Sequence, residues 1–294
     1  MVANTTHTTT SGTGRIYRSK RIAQQRFLLT AFAIIISIIF VWPFLVMVAD
    51  TFNRLDVYMN PLIPWPKQFT LENYILAFSK YKIGIHFKNT ILVVATTASL
   101  STRSAALAGY TLAKLKSPGR NIFLLIILAV MLLPTQTMLV PQFVVVRDLG
   151  LLNNYWGIIL PGVGGFAFGI FLMRQFMLRV PTEMLEAGRI DGCNEFGLFT
   201  KLVIPTMKGP ILVLATIIVR YQWNDLLWPQ IILSEESKQL LMPAIMLLNN
   251  MSSNNADALI VSYAVAILAG VVPLGFYTYA QRFFVDSMAG ILKG

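Results

Sequence analysis

Residues 27–48 contain no charged side chain, and at 1.5 Å per helical residue they reach across the ~30 Å hydrocarbon core of a bilayer. Such a run confines a chain to few architectures. In hydrocarbon every backbone N–H and C=O must be satisfied internally, so the run forms either a helix or one strand of a closed barrel. Its apolar residues do not alternate with polar ones, as strands with a polar lumen require, so a helix is expected. Five further apolar runs follow, at 89–113, 121–141, 156–173, 210–233 and 258–280. The expected fold is an all-α membrane protein of six transmembrane helices. Residues 1–26 precede the 27–280 membrane domain and residues 281–294 form a tail.

Composition agrees. Hydrophobic residues make up 55% of the 294 and charged residues only 13%, half the share of a soluble domain. An ordinary soluble enzyme, a disordered chain and a disulfide scaffold are excluded. A cleaved leader would have a shorter apolar core and a small-x-small cleavage site, so the first run reads as a retained span. The single cysteine, Cys193, and the two histidines, His7 and His86, have no metal-ligand spacing.

The net charge of +11 reads as membrane orientation rather than as a nucleic-acid surface. With six spans, both termini share a side. That side holds fifteen of the Lys and Arg residues and the opposite side seven, so the termini are expected in the cytoplasm. Pro134, Pro161 with Gly162, Gly164 and Gly165, Pro229, and Gly270 with Pro273 interrupt the spans. Lipid tolerates such breaks where neighbours or a water-filled cavity satisfy the freed backbone, which favours a transporter over an anchor or scaffold.

The cytoplasmic segment 174–209 is the most informative. Pro181 suits a helix start, and Glu183 and Glu186 suit its positive end. Asp191-Gly192 is a turn signal. A second amphipathic helix is expected from about Asn194, burying Phe196, Phe199, Leu202 and Val203 and ending at Pro205. Ala187 and Gly188 place small residues at the apex. Glu186-Ala187-Gly188, then Asp191-Gly192, then Pro205 and Pro210 resemble the "EAA" loop of binding-protein-dependent ABC importers, with Gly in place of the third-position Ala. Thr70-Leu71-Glu72-Asn73-Tyr74, Tyr110, Lys116-Ser117-Pro118-Gly119-Arg120, Trp223-Asn224-Asp225-Leu226-Leu227-Trp228-Pro229 and the Lys293-Gly294 ending extend the resemblance to the smaller permease of the maltose-type carbohydrate family. Asp286-Ser287 departs from the family's usual glycine.

That resemblance implies an ATP-driven importer of the type I permease fold in the bacterial inner membrane. It implies a second homologous permease, two cytoplasmic ATPases that bind ATP and Mg, an extracytoplasmic solute-binding protein, and a carbohydrate substrate. Glu186, Ala187, Gly188, Asp191, Gly192, Phe196 and Pro205 would couple the chain to its ATPase. No Gly-x-x-x-x-Gly-Lys-Ser/Thr loop occurs, so the chain is expected to hold no cofactor and to be no enzyme itself. An ion-driven secondary transporter is the alternative, but Asp225 is the one acidic residue within the six spans.

Two charges fall inside spans. Arg103 is placed near the middle of span two, and Arg220 near the middle of span five. Each costs at least about 2.5–3.5 kcal/mol there and should face a cavity or a partner. Tyr221, Gln222, Trp223, Asn224 and Asp225 add aromatic faces and hydrogen-bonding groups suited to a saccharide. Arg103 and Arg220 through Asp225 are therefore the candidate substrate path; unpaired arginines would point to a negatively charged sugar, whereas carboxylates from the partner permease would leave the sugar neutral.

Overall fold

The structure, a computed structural model, describes residues 12–53, 65, 66, 68–164, 166–252 and 256–292, with side chains described for all of these except 12–24, 256 and 282–292. Gly165 and the Lys293-Gly294 ending lie outside the described residues, as does most of the Thr-rich start.

The chain divides at Leu71–Glu72 into two compact units. In the first, α1 (Gly12–Thr51) is one 40-residue helix that starts well before the expected span. Its Ile- and Phe-rich stretch leaves side chains such as Phe27, Ile39 and Phe40 largely exposed, as befits a helix solvated by lipid. Pro43 sits inside it without ending it. Beyond the helix, the Thr70 amide donates to the Phe52 carbonyl at 2.8 Å, and Phe52 stacks on Phe69.

The second unit is built on α3 (Ile83–Lys114), which follows the short α2 (Glu72–Ser79). Against α3 pack α6 (Trp156–Gly164), α7 (Ala167–Leu178), α10 (Lys208–Trp223) and α12 (Leu241–Met251). Its buried face reads Val93, Val94, Thr97, Ala98, Ser101, Ala105, Ala106, Gly109 and Tyr110, a mostly small-residue stripe at helical spacing. At Gly109 an added Cβ would lie 2.8 Å from Met173 Cβ and 2.9 Å from the Arg174 nitrogen, so only glycine permits this α3–α7 crossing. The last helix, α13 (Ala256–Leu292), runs on past residue 280 and across Gly270 and Pro273 without a break.

Three helices are long and apolar enough to cross a membrane, or up to six if each bent helix pair counts as one span. The bends follow some of the expected interruptions and not others. The 121–141 run is α4 (Arg120–Met131), then a turn of 100° into a 3-10 segment and α5 (Leu139–Asp148). Pro134 supplies no N–H and disfavours helical backbone before it, so α4 stops there. The 156–173 run divides into α6 and α7 after Gly164. The Gly162 carbonyl near that break accepts from the Ser101 hydroxyl at 3.0 Å. The 210–233 run ends early, at Trp223, and resumes as α11 (Leu227–Ile232). Pro229 lies within α11 and does not make the break. The Asn224 side chain makes it, donating back to the Arg220 carbonyl at 2.7 Å, while Asp225 Oδ1 accepts from the Trp228 amide across the gap. Arg220 therefore sits in the last turn of its helix, not near the middle of a long one.

At the other end of α3, His86 Nδ1 donates to the Gln239 carbonyl, and Asn89 donates to the Ser237 and Gln239 carbonyls. Thr90 Oγ1 accepts from the Leu241 amide. These bonds hold segment 233–241 on α3.

Candidate functional site

Between α7 and α10 lie α8 (Thr182–Ile190) and α9 (Glu195–Thr206), the latter α-helical at its ends and a π-helix over Leu198–Val203. Pro181 precedes the first turn of α8, and Gly192, at φ 83, makes the reversal that a side chain would strain. Asn194 caps α9, its Oδ1 accepting from the Gly197 amide at 2.7 Å. An 81° bend at Met207 then turns the chain into α10.

The inner surface of this pair is apolar. Leu185, Leu198, Phe199 and Val203 are buried with Ala106 and Tyr110 of α3 and Met173 and Met177 of α7. Gly188 belongs to that inner surface and not to the outer apex. An added Cβ would meet Leu198 Cδ2 at 2.5 Å and Leu202 Cδ1 at 2.7 Å, so its small size lets α8 lie against α9. Phe196 is the second correction. Expected in the core, it is 68% exposed, and Ile190, which periodicity did not single out, is 87% exposed. Ala187, Glu186, Asp191 and Pro205 are exposed as well. The outward face thus carries two protruding apolar side chains beside carboxylates. The signal for Ile190 was in the sequence: an apolar residue directly before the Asp-Gly turn, where no inner face remains to take it.

A polar chain joins the loop to α3. Tyr110 Oη donates to Glu195 Oε2 at 3.0 Å, and Arg189 Nε and Nη2 both reach Glu195 Oε1 at 2.9 Å. The Tyr110 ring packs on Phe199 at 5.2 Å. The Arg189 guanidinium, first, and the Tyr110 hydroxyl hold the Glu195 carboxyl below the usual carboxylate range. Four residues on, Lys114 Nζ donates to the Val180 carbonyl at 2.6 Å.

Deeper in the membrane domain the structure divides the expected substrate residues. Counting helical rise, Arg103 lies about 16 Å from Lys114 and Arg220 about 18 Å from Lys208, both near half depth if those lysines mark one interface. Arg103 lines a cleft of about 460 Å³ between α3, α10 and α13, with Ala95, Ser99, Val219, Trp223 and Phe276. Arg220, Tyr221 and Asn224 are exposed together on α10. Gln222 is buried beside Gly162 and Thr97, and Trp223 is buried against Phe87. Neither arginine forms an ion pair among the described residues. Arg220, in the last turn of α10, gains from the negative end of its own helix, whereas Arg103 is mid-helix and has no such support.

Residues 105–288 match the family model described as binding-protein-dependent transport system inner membrane component. The arabinooligosaccharides transport system permease protein AraQ of Halalkalibacterium halodurans is 30% identical over 91% of this chain and 96% of its own length. The probable starch degradation products transport system permease protein AmyC of Thermoanaerobacterium thermosulfurigenes is 26% identical over 93% of this chain and 99% of its own. Among solved structures, a chain of a bacterial ABC transporter involved in the import of the acidic polysaccharide alginate superposes with a TM-score of 0.74. It covers 96% of this chain at 21% identity, a likeness of fold. With more than half of its length inside the family model and nearly all of it aligned to sugar-system permeases, the chain belongs to the binding-protein-dependent transport system inner membrane components.

Proposed function

We propose that the chain is one of two homologous permeases in an ATP-driven importer of oligosaccharides. A solute-binding protein delivers the sugar outside, and two cytoplasmic ATPases, which hold ATP and Mg, drive the cycle. The chain crosses the bacterial inner membrane six times with both termini in the cytoplasm, as its basic residues favour. Relatives named for arabinooligosaccharides and starch degradation products support the substrate class.

The observation that carries the reading is the α8–α9 loop. It is packed firmly on its inner side while Ile190 and Phe196 stand exposed on the outer side, beside Glu186 and Ala187. Exposed apolar side chains on a polar, ordered loop mark a docking surface, here for the ATPase. Asp191 and Gly192 shape its turn, Gly188 sets the α8–α9 contact, and Pro205 stands beside its exit.

The exposed set Arg220, Tyr221 and Asn224 faces the substrate path or the second permease, because lipid at half depth would not solvate it. Buried Gln222 and Trp223 back that surface, and Asp225 holds the break beneath it. Two guanidinium groups without carboxylate partners among the described residues favour a sugar bearing negative charge, since Arg pairs with carboxylates in directional, bidentate fashion.

Uptake by reconstituted vesicles containing the whole complex, with ATP on the ATPase side and the solute-binding protein on the other, tests the reading. Vanadate should block it and a protonophore should not. The reverse pattern would instead establish an ion-driven carrier.

A further inference from the structure

The apolar contacts between the loop and α3 hold the two together but do not fix their angle, because such contacts are non-directional. A directional tie is present at one place near the loop's tip. Glu195 opens α9 just beyond the Asp191-Gly192 reversal, and its two oxygens are divided between different elements. Oε2 accepts from Tyr110 of α3, and Oε1 accepts from Arg189 at the end of α8. One carboxylate thus joins both loop helices to the helix on which the rest of the unit is built.

We propose that Glu195 is a positioning residue that sets the angle of the α8–α9 loop on α3, with Tyr110 as its anchor. A push on the loop then turns α3 with it instead of being lost in sliding. This rests on the reading of the loop as the ATPase docking site.

Stability cannot be the main role of the ion pair. The Arg189 and Glu195 side chains are 41% and 46% exposed, and exposed pairs add little to folding. The Tyr110 hydroxyl is different in kind. It belongs to a side chain that is 2% exposed and wedged against Phe199, so its direction is set by packing before Glu195 arrives. A fixed donor meeting a carboxylate that also bridges two helices locates that carboxylate in space. The Lys114 bond to the Val180 carbonyl secures the loop's root in the same manner, leaving Glu195 to secure its tip.

The test uses the purified complex with both permeases and ATPases in lipid nanodiscs. Spin labels are placed on α9 and α3 through Lys201→Cys and Leu107→Cys, in a Cys193→Ser background. Electron–electron double resonance then reads the interlabel distance with no nucleotide and after trapping with ATP and vanadate. In the parent, one narrow distance should persist in both states. Glu195→Ala should raise the population of displaced loop orientations about tenfold, the factor carried by one charge-assisted hydrogen bond, with ATPase still co-purifying. Glu195→Gln, which keeps an acceptor for Tyr110, should recover part of the narrow population. Tyr110→Phe added to Glu195→Ala should change nothing more. A parent-like narrow distance in Glu195→Ala overturns the proposal alone. A parent that retains no ATPase overturns the docking reading and the proposal with it.

Discussion

Gly188 shows how a motif position can be small for a reason its spelling hides. The family pattern suggests a partner's close approach, but here the missing side chain makes room for Leu198 and Leu202 of the same chain. Gly188→Ala should therefore cost about 1–3 kcal/mol by overpacking, offset in part by better helix propensity. Gly188→Trp should separate α8 from α9, visible as new protease cleavage within 182–206. The outward residues behave differently. Ile190→Asp or Phe196→Asp should leave protease resistance unchanged yet weaken ATPase retention by about 2 kcal/mol or more, the scale of an interface hot spot, measured by co-purification against salt. Glu195 adds a pH dependence. Its carboxyl titrates below the ordinary range because Arg189 and Tyr110 face it, so the tie is at full strength above about pH 4.3 and weakens, its Arg189 arm most, as acid takes the pH through the lowered value. Glu186 near Arg189 is the other charge in reach. The narrow α9–α3 distance should hold from neutral pH to about pH 5 and broaden only in stronger acid, below the ordinary carboxylate range. A distance that broadened already at neutral pH would contradict the assignment.

At the scale of helices, hydrophobic length told where the apolar helices lie but not where they bend. Pro134 announced a break and made one, because a proline away from a helix start leaves its turn without a donor. Pro229 and Pro273 announced breaks and made none, the first because it lies in the opening turn of α11, the second because α13 carries on through it. The break in the 210–233 run came instead from Asn224, whose amide reaches back to the Arg220 carbonyl, a local competition that hydropathy does not register. Phe196 was misplaced because it lies in the first turn of α9, ahead of the π-helix over 198–203 that carries the buried Leu198, Phe199 and Val203. Two contacts between helices can be tested directly. The Trp228 indole donates to the buried Gly157 carbonyl at 3.1 Å, so Trp228→Phe should cost about 1–3 kcal/mol by orphaning that carbonyl. Gly109→Leu, which cannot be accommodated against the Met173–Arg174 backbone, should cost more. Thermal unfolding of the detergent-solubilised chain ranks the two, and an equal or reversed order would count against the α3–α7 crossing described here.

For the whole molecule, membership of the transport family was legible from the loop and the chain-long motifs, while the division of labour among polar residues was not. Residues 220–225 are consecutive in sequence, but the end of α10 sends Arg220, Tyr221 and Asn224 outward and folds Gln222 and Trp223 inward. The two arginines likewise look equivalent until one is found in a last turn and the other mid-helix. That difference sets the expected result of comparing uptake of neutral and anionic oligosaccharides by the whole complex. Arg103→Gln, which removes the guanidinium least supported by its own backbone, should lower anionic uptake by about tenfold, about 1.4 kcal/mol, with neutral uptake nearly unchanged. Arg220→Gln should show the same preference more weakly. Equal losses for both sugars would remove charge recognition from the account.

The early end of α10 has a consequence of another kind. Around Asn224 and Asp225 the backbone bonds are long, 3.4 Å to the Arg220 and Gln222 carbonyls, and they lie about 24 Å of helical rise from Lys208 on the loop side. Peptide groups so weakly paired need solvent. Water is therefore expected to reach these two amides along this one subunit, whether or not a route is open from end to end. Deuterium exchange should find it, with the amides at Asn224 and Asp225 exchanging within minutes while those of the buried face of α3 stay protected for hours.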